Sequence, residues 1–185
     1  MKKSTLLLIV LFTIASACKN DSATPTESTK EKLLTSKKVN STVKKAPKIK
    51  SLNKEQLSTF FPDYLGSHKQ FDIFAYAQES LATASYGSFD NSYNYSLSDG
   101  IENTAIVKNF EATYQSKLIG PEGTQYIRQE RNGYKTLAFL QPKINRYSIE
   151  FIYKNRFKLV LEGPEVPDIL WSYIKEEDLK KLDNY

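Results

Sequence analysis

The stretch "TQYIRQERNGYKTLAFL", residues 124–140, contains two runs of strand-forming residues that meet at Asn132-Gly133. Asn-Gly between two such runs is the strongest short-range signal of a β-hairpin, because a two-residue turn of this type needs positive φ at both positions. The stretch therefore predicts two antiparallel strands, residues 124–131 and 134–140. It points to a fold built on an antiparallel sheet.

Four more runs have the same character and extend this sheet. They are "LATASYG" (81–87), "SYNYSLS" (92–98), "RYSIEFIY" (146–153) and "RFKLVLEG" (156–163). Residues 88–91 join the first two runs, and Lys154-Asn155 joins the last two. The sequence thus predicts a sheet of about six strands.

Three helices are predicted around these strands. Asn53-x-x-Gln56 is typical of a capping box that opens a short helix, which Pro62 ends. Asp99 is expected to cap a second helix that Gly120-Pro121 ends, with an apolar residue at every fourth position: Ile106, Phe110, Tyr114 and Leu118. Pro167 with Asp168 opens a third helix. This order of elements predicts the α+β class, with helices packed mainly on one face of the antiparallel sheet.

The N-terminus has the layout of a secretory signal peptide. Lys2 and Lys3 precede an apolar run that is too short to cross a bilayer, which needs about 20 such residues. Small residues at 15–17 then lead to Cys18, the only cysteine of the chain. We expect residues 1–17 to be removed as a signal peptide.

Two cleavage reactions at the Ala17–Cys18 bond remain open. Ala15-x-Ala17 fits ordinary signal peptidase, whereas "ASAC" resembles the lipobox of bacterial lipoproteins, although Ala15 stands where leucine is commonest. Ordinary cleavage would leave a lone thiol on a secreted protein, and lipidation would consume it. The resemblance implies a lipid anchor on Cys18. It also implies placement in the outer membrane, since Lys19 is not the aspartate associated with inner-membrane retention. Whether the protein lies on the periplasmic face or the cell-surface face of that membrane stays open.

Residues 18–50 are predicted to form a flexible tether between this anchor and a single domain, residues 51–185. The tether is rich in Lys, Ser and Thr and has no aromatic residue, so it cannot bury enough apolar surface to offset its ordering entropy. Residues 19–55 carry ten lysines against four acidic residues, whereas residues 56–185 carry 14 basic against 17 acidic residues. The basic segment has no interleaved aromatic residues, which argues against nucleic acid as a partner.

The body also resembles a group of small, uncharacterised bacterial envelope proteins of α+β build. The resemblance is carried by "FFPDYLGS", "ATASYG", "YSLSDG" and "RFKLVLEG", and it covers most of residues 60–182. It implies no established activity and no catalytic residue.

Signals of catalysis and of cofactor binding are weak. His68, the only histidine, is expected to be a solvated residue in a polar loop, and transition-metal sites usually need at least two His or Cys ligands. Asp90, Asn91, Asn94 and Asp99 lack the spacing of a calcium loop and are interpreted as turn and cap residues. Motifs of nucleophilic or phosphate-binding enzymes are missing. We predict no cofactor, no metal and no catalytic residue.

Tyrosine is unusually frequent, with twelve in the chain. Alternating tyrosines either pack beneath a helix or form an exposed face for a glycan or protein partner. The candidates for such a binding face are Tyr86, Tyr93, Tyr95, Tyr147 and Tyr153.

The sequence therefore predicts a non-catalytic, lipid-anchored envelope protein that binds another envelope component. One alternative is a binding module for a glycan or an acyl chain, which an apolar cavity between the sheet and the Ile106 helix would favour. The other is a hydrolase that uses a pair of carboxylates in one cleft.

Overall fold

The computed structural model describes residues 49–185, so the predicted signal peptide, Cys18 and nearly all of the tether lie outside the described residues. The domain is α+β, with an antiparallel sheet of eight strands. The strands are β1 (Tyr64–Leu65), β2 (His68–Tyr76), β3 (Leu81–Ser88), β4 (Asn91–Asp99), β5 (Gln125–Arg131), β6 (Tyr134–Gln141), β7 (Arg146–Tyr153) and β8 (Phe157–Gly163). Their order in the sheet is β1-β2-β3-β4-β8-β7-β6-β5. The α-helices are α1 (Lys54–Thr59), α2 (Ala105–Gln115), α3 (Pro167–Tyr173) and α4 (Glu176–Leu179).

The predicted sheet has the right strands at β3 to β8 but lacks β1 and β2. The strand count of six is therefore wrong. His68 is also not in a loop: it is the first residue of β2 and is half-buried, with its ring centroid 4.3 Å from that of Tyr93.

One face of the sheet, here called the inner face, carries the main core. Every second residue of β3, β4, β7 and β8 points into it, as the two-residue period of a strand requires. Leu57 of α1 and Leu170 of α3 pack against these side chains, together with Leu179 and Leu182 from the C-terminal segment. The helices at the two ends of the domain thus close the same face.

The opposite face, here called the outer face, is covered by α2 over only part of its width. Phe110 of α2 is buried but is separate from the main core cluster. Lys135 of β6 forms an ion pair with Glu111 of α2 at 2.7 Å, and the Arg128 guanidinium of β5 donates to the Thr113 and Ser116 carbonyls at the end of the helix. Helix α2 is thus the exception to the prediction that the helices lie mainly on one face.

The helix boundaries follow the sequence in part. The capping box of α1 is confirmed, since Asn53 and Gln56 each accept a hydrogen bond from the other's backbone N–H at 2.9 Å. Pro167 begins α3 as predicted. However, α2 ends at Gln115, well before Gly120. Among residues 49–185 no helix has the length and apolar character that crossing a bilayer requires.

Asp99 caps no helix; it forms a buried ion pair with Arg156. The Asp99 side chain is fully buried, and both of its oxygens accept from the guanidinium at 2.7 Å. Its oxygens also accept from the backbone N–H groups of Leu52 and Ile101. Arg156 in turn donates to the carbonyl of Lys50 and to a backbone oxygen of Tyr185. This cluster, the Asp99–Arg156 clamp, joins both ends of the domain to strands β4 and β8.

Tyr95 has a fully buried hydroxyl that finds no hydrogen-bond partner among the described residues. A buried polar group without a partner costs about 1–3 kcal/mol. We therefore expect Tyr95→Phe to leave the free energy of unfolding unchanged or to raise it by about 1 kcal/mol, as measured by urea unfolding. Tyr86→Phe is the matched control, because the Tyr86 hydroxyl donates to the Pro62 carbonyl at 3.0 Å. A larger loss in Tyr95→Phe than in Tyr86→Phe would contradict this prediction.

Candidate functional site

The five tyrosines proposed as a binding face lie on the inner face of the sheet. Tyr86, Tyr93, Tyr95 and Tyr153 are buried, and Tyr147 packs against the same core. Burial raises the pKa of Tyr93 to about 12 and also raises the pKa of Tyr95 well above its ordinary value. These tyrosines therefore form no exposed row, because α1 and the C-terminal segment cover the face on which they lie.

Two acidic residues on the outer face of the sheet have basic partners. Glu150 and Glu162 lie on neighbouring strands of the outer face, and each forms an ion pair, with Lys158 at 2.7 Å and with Arg146 at 2.6 Å respectively. Within residues 49–185, the His, Cys, Asp and Glu side chains form no group of three or more that could hold a metal ion.

The outer face has a half that α2 does not cover, formed by β2, β3 and β4 and here called the open half. Its central side chains are short and polar, and they are hydrogen-bonded across the strands. Thr83 and Ser96 share a hydrogen bond of 2.8 Å between their hydroxyls, and Ser85 donates to the Asn94 side chain at 3.0 Å. These groups are half-buried, so part of each remains accessible for hydrogen bonds to a partner.

Two aromatic side chains border the open half on strand β2. Phe74 pairs with Thr83 and Tyr76 pairs with Leu81, so both rings lie on the outer face. Phe74 is 54% exposed and Tyr76 is 52% exposed, which is unusual for such large side chains. Exposed aromatic rings beside hydrogen-bonding groups are typical of the surfaces through which proteins bind their partners.

A groove of about 230 Å³ lies on the same face at the edge of α2. Its apolar lining residues are Tyr126 and Phe139, whose ring centroids are 4.6 Å apart, and Leu137. Its polar lining residues are Thr113 of α2 with Ser148 and Glu150 of β7. A row of paired residues joins this amphipathic groove to the open half, because Ser148 pairs with Glu162 and Glu162 pairs with Asn94.

Sequence reasoning missed the residues of both regions. One signal was available for the groove: the two-residue turn at Asn132-Gly133 fixes the hairpin register, and that register places Tyr126 opposite Phe139. Phe74 and Tyr76 had no comparable signal, since the strand that carries them was not predicted.

Comparison of this chain with family models, with curated proteins and with solved structures gives no match.

Proposed function

We propose that this protein is a non-catalytic, lipid-anchored protein of a bacterial envelope that binds another envelope component through the open half of its outer face. The anchor would be Cys18 and the tether residues 18–50. Lys19 favours the outer membrane as its location. The observation that carries the binding proposal is the exposed pair Phe74 and Tyr76 beside the polar open half.

The anchor rests on the sequence alone. Cys18 follows an apolar run and small residues, and the chain has no second cysteine with which it could form a disulfide. Two or more acyl chains on one residue would hold the protein stably, because each buried methylene contributes about 0.8 kcal/mol and a single chain binds only marginally.

The binding surface rests on what the sheet leaves uncovered. An antiparallel sheet tolerates one solvated face, and polar residues alone would need no other explanation. The two half-exposed rings of β2 are different, since burying the exposed half of each ring against a partner would contribute about 1 kcal/mol. Hydroxyl and amide groups beside the rings supply the directional contacts that such an interface needs.

The anchor is tested by the intact mass of the mature protein from a bacterial host. We expect a chain that begins at Cys18 and carries a diacylglyceryl-sized increment, and we expect Cys18→Ser to lose that increment. An unmodified mature chain with a free thiol would contradict the lipid anchor. The protein would then be cleaved by ordinary signal peptidase and secreted without lipid.

The binding surface is tested by cosedimentation of the full-length Cys18→Ser chain with washed bacterial envelope fragments. We expect the double substitution Phe74→Ser with Tyr76→Ser to reduce the bound fraction at least fivefold, because it removes both exposed aromatic rings of the open half. Phe89→Ser is the control, since Phe89 is 89% exposed but lies in the turn between β3 and β4. Equal binding of the double variant and the control would refute this surface.

A further inference from the structure

We infer that the groove beside α2 binds one ring of a neutral sugar chain, the remainder of which would lie along the open half. This inference rests on the proposed function and names a ligand class for it. The groove is formed by Thr113, Tyr126, Leu137, Phe139, Ser148 and Glu150.

The volume of the groove limits the size of the ligand that it can hold. Its volume of about 230 Å³ equals that of about eight water molecules at ~30 Å³ each. This volume is below the range of roughly 300–1,000 Å³ typical of pockets that enclose a whole drug-sized ligand. The groove therefore suits one small ring of a longer ligand, with the rest of the ligand outside it.

The side chains that line the groove determine the chemical class of its ligand. Tyr126 and Phe139 supply flat apolar rings, and a sugar ring has a face of C–H groups that can lie against them. Beside them, Thr113 and Ser148 carry hydroxyls that can both donate and accept, which suits the hydroxyl groups of a sugar. An acyl chain would leave these polar groups without partners, so the groove disfavours it.

The charge balance of the groove favours a neutral ligand. Glu150 is the charged residue of its lining, and its Oε2 is 2.7 Å from the Lys158 ammonium. A second cation would therefore gain little there, whereas Oε1 can accept a hydrogen bond from a hydroxyl. A larger groove of about 390 Å³ at the start of α2 suits a neutral sugar less well. Two charged residues, Lys108 and Glu111, line it, and no aromatic residue does.

The groove and the open half form one continuous surface. The paired residues Phe139, Ser148, Glu162, Asn94 and Ser85 form a row across five adjacent strands, from β6 to β3. Adjacent strands are about 4.8 Å apart, so this row extends roughly 19 Å from the groove into the open half. An extended chain of several rings can therefore contact both regions at once.

The test uses the ¹⁵N-labelled full-length Cys18→Ser chain and three probes: the neutral hexamer of N-acetylglucosamine, its deacetylated cationic form, and decanoate. We expect the neutral hexamer alone to give saturable amide shifts at Thr113, Tyr126 and Ser148. Tyr126→Ala should weaken binding about tenfold, and Ser148→Ala about two- to tenfold, the range for one hydrogen bond. Tyr64→Ala is the matched control, because Tyr64 is an exposed tyrosine outside the groove.

Each other outcome overturns the inference in a distinguishable way. Tighter binding of the cationic hexamer would make this an acidic site, and binding of decanoate would make it an acyl site. Amide shifts confined to β2, β3 and β4 would exclude the groove as a binding site but would leave the proposed function intact. No saturable shift with any probe would overturn the sugar class, and the envelope cosedimentation of the Phe74 and Tyr76 variant would then decide the proposed function separately.

Discussion

Replacing Asp99 by alanine is expected to lower the free energy of unfolding by about 3–5 kcal/mol, because it leaves the guanidinium of Arg156 partly buried without its counter-ion. Arg156 is only 11% exposed in its side chain, and Asp99 is fully buried. The substitution also removes the acceptor of the Leu52 and Ile101 amides. Urea unfolding at neutral pH measures the loss.

Glu111→Gln is the control for Asp99→Ala. It breaks the ion pair between Glu111 and Lys135, whose side chains are 38% and 50% exposed, and surface pairs of this kind contribute about 0–1 kcal/mol. If both variants lose the same small amount, the clamp does not hold the domain together in the way described here.

The clamp also makes stability depend on pH in a defined direction. Burial alone would raise the pKa of Asp99, but the hydrogen bonds from Arg156 and from the two amides outweigh it, and the pKa is lowered. The clamp's contribution is thus present above the pKa of an unfolded aspartate, about 3.9, and is lost as the pH falls through the lower folded value. We expect the slope of stability against pH below about pH 4 to be shallower in Asp99→Asn than in the unchanged protein.

Asp183 contributes to the same slope, because hydrogen bonds from Lys154 and Tyr153 lower its pKa. Its ion pair with Lys154 is exposed, so added salt should screen it, whereas the buried clamp should persist. Repeating the pH series at about 1 M salt, where the Debye length is near 3 Å, therefore separates the two carboxylates. An acid slope that disappears in salt would assign it to Asp183.

Phe151→Ala is expected to cost about 3–5 kcal/mol through the cavity that it leaves. Phe151 is fully buried on β7, and its ring contacts Trp171 edge-on with centroids 5.2 Å apart. Trp171 is the only tryptophan of the chain, so its fluorescence reports on this contact directly. We expect a red-shifted emission and a lower urea midpoint.

Phe89→Ala serves as the control for Phe151→Ala, since Phe89 is 89% exposed and should change neither quantity. An unchanged Trp171 spectrum in Phe151→Ala would mean that the core on the inner face is not packed as described.

The strands that the sequence predicted are those in which neighbouring residues show a turn motif or a strict apolar–polar alternation. Asn132-Gly133 and the strict alternation in β3, β4, β7 and β8 give strands whose boundaries agree with the structure to within about two residues. Strand β2 lacked such a signal for two reasons. It lies toward one edge of the sheet with most of its residues exposed, and a bulge between Gln70 and Asp72 interrupts the two-residue period.

The remaining errors concern contacts between residues that are distant in sequence. Asp99 was expected to cap a helix, yet its partner Arg156 lies 57 positions away. The end of α2 was placed too late, and the carbonyls at its true end accept hydrogen bonds from Arg128 of β5. No local pattern contains these partners. The sequence left the tyrosines between packing beneath a helix and forming an exposed face for a similar reason, because alternation shows which residues share a face but not which helix covers it.

The Asp99–Arg156 clamp also determines how the domain would respond to a mechanical pull from residues before 49. Such a pull reaches Lys50 and Leu52, which are hydrogen-bonded to Arg156 and Asp99. Asp99 is the last residue of β4, and Arg156 immediately precedes β8; these are the two central strands of the sheet. Force thus enters at the centre of the sheet, where each strand is paired on both sides, and not at an edge strand that could be peeled away one hydrogen bond at a time.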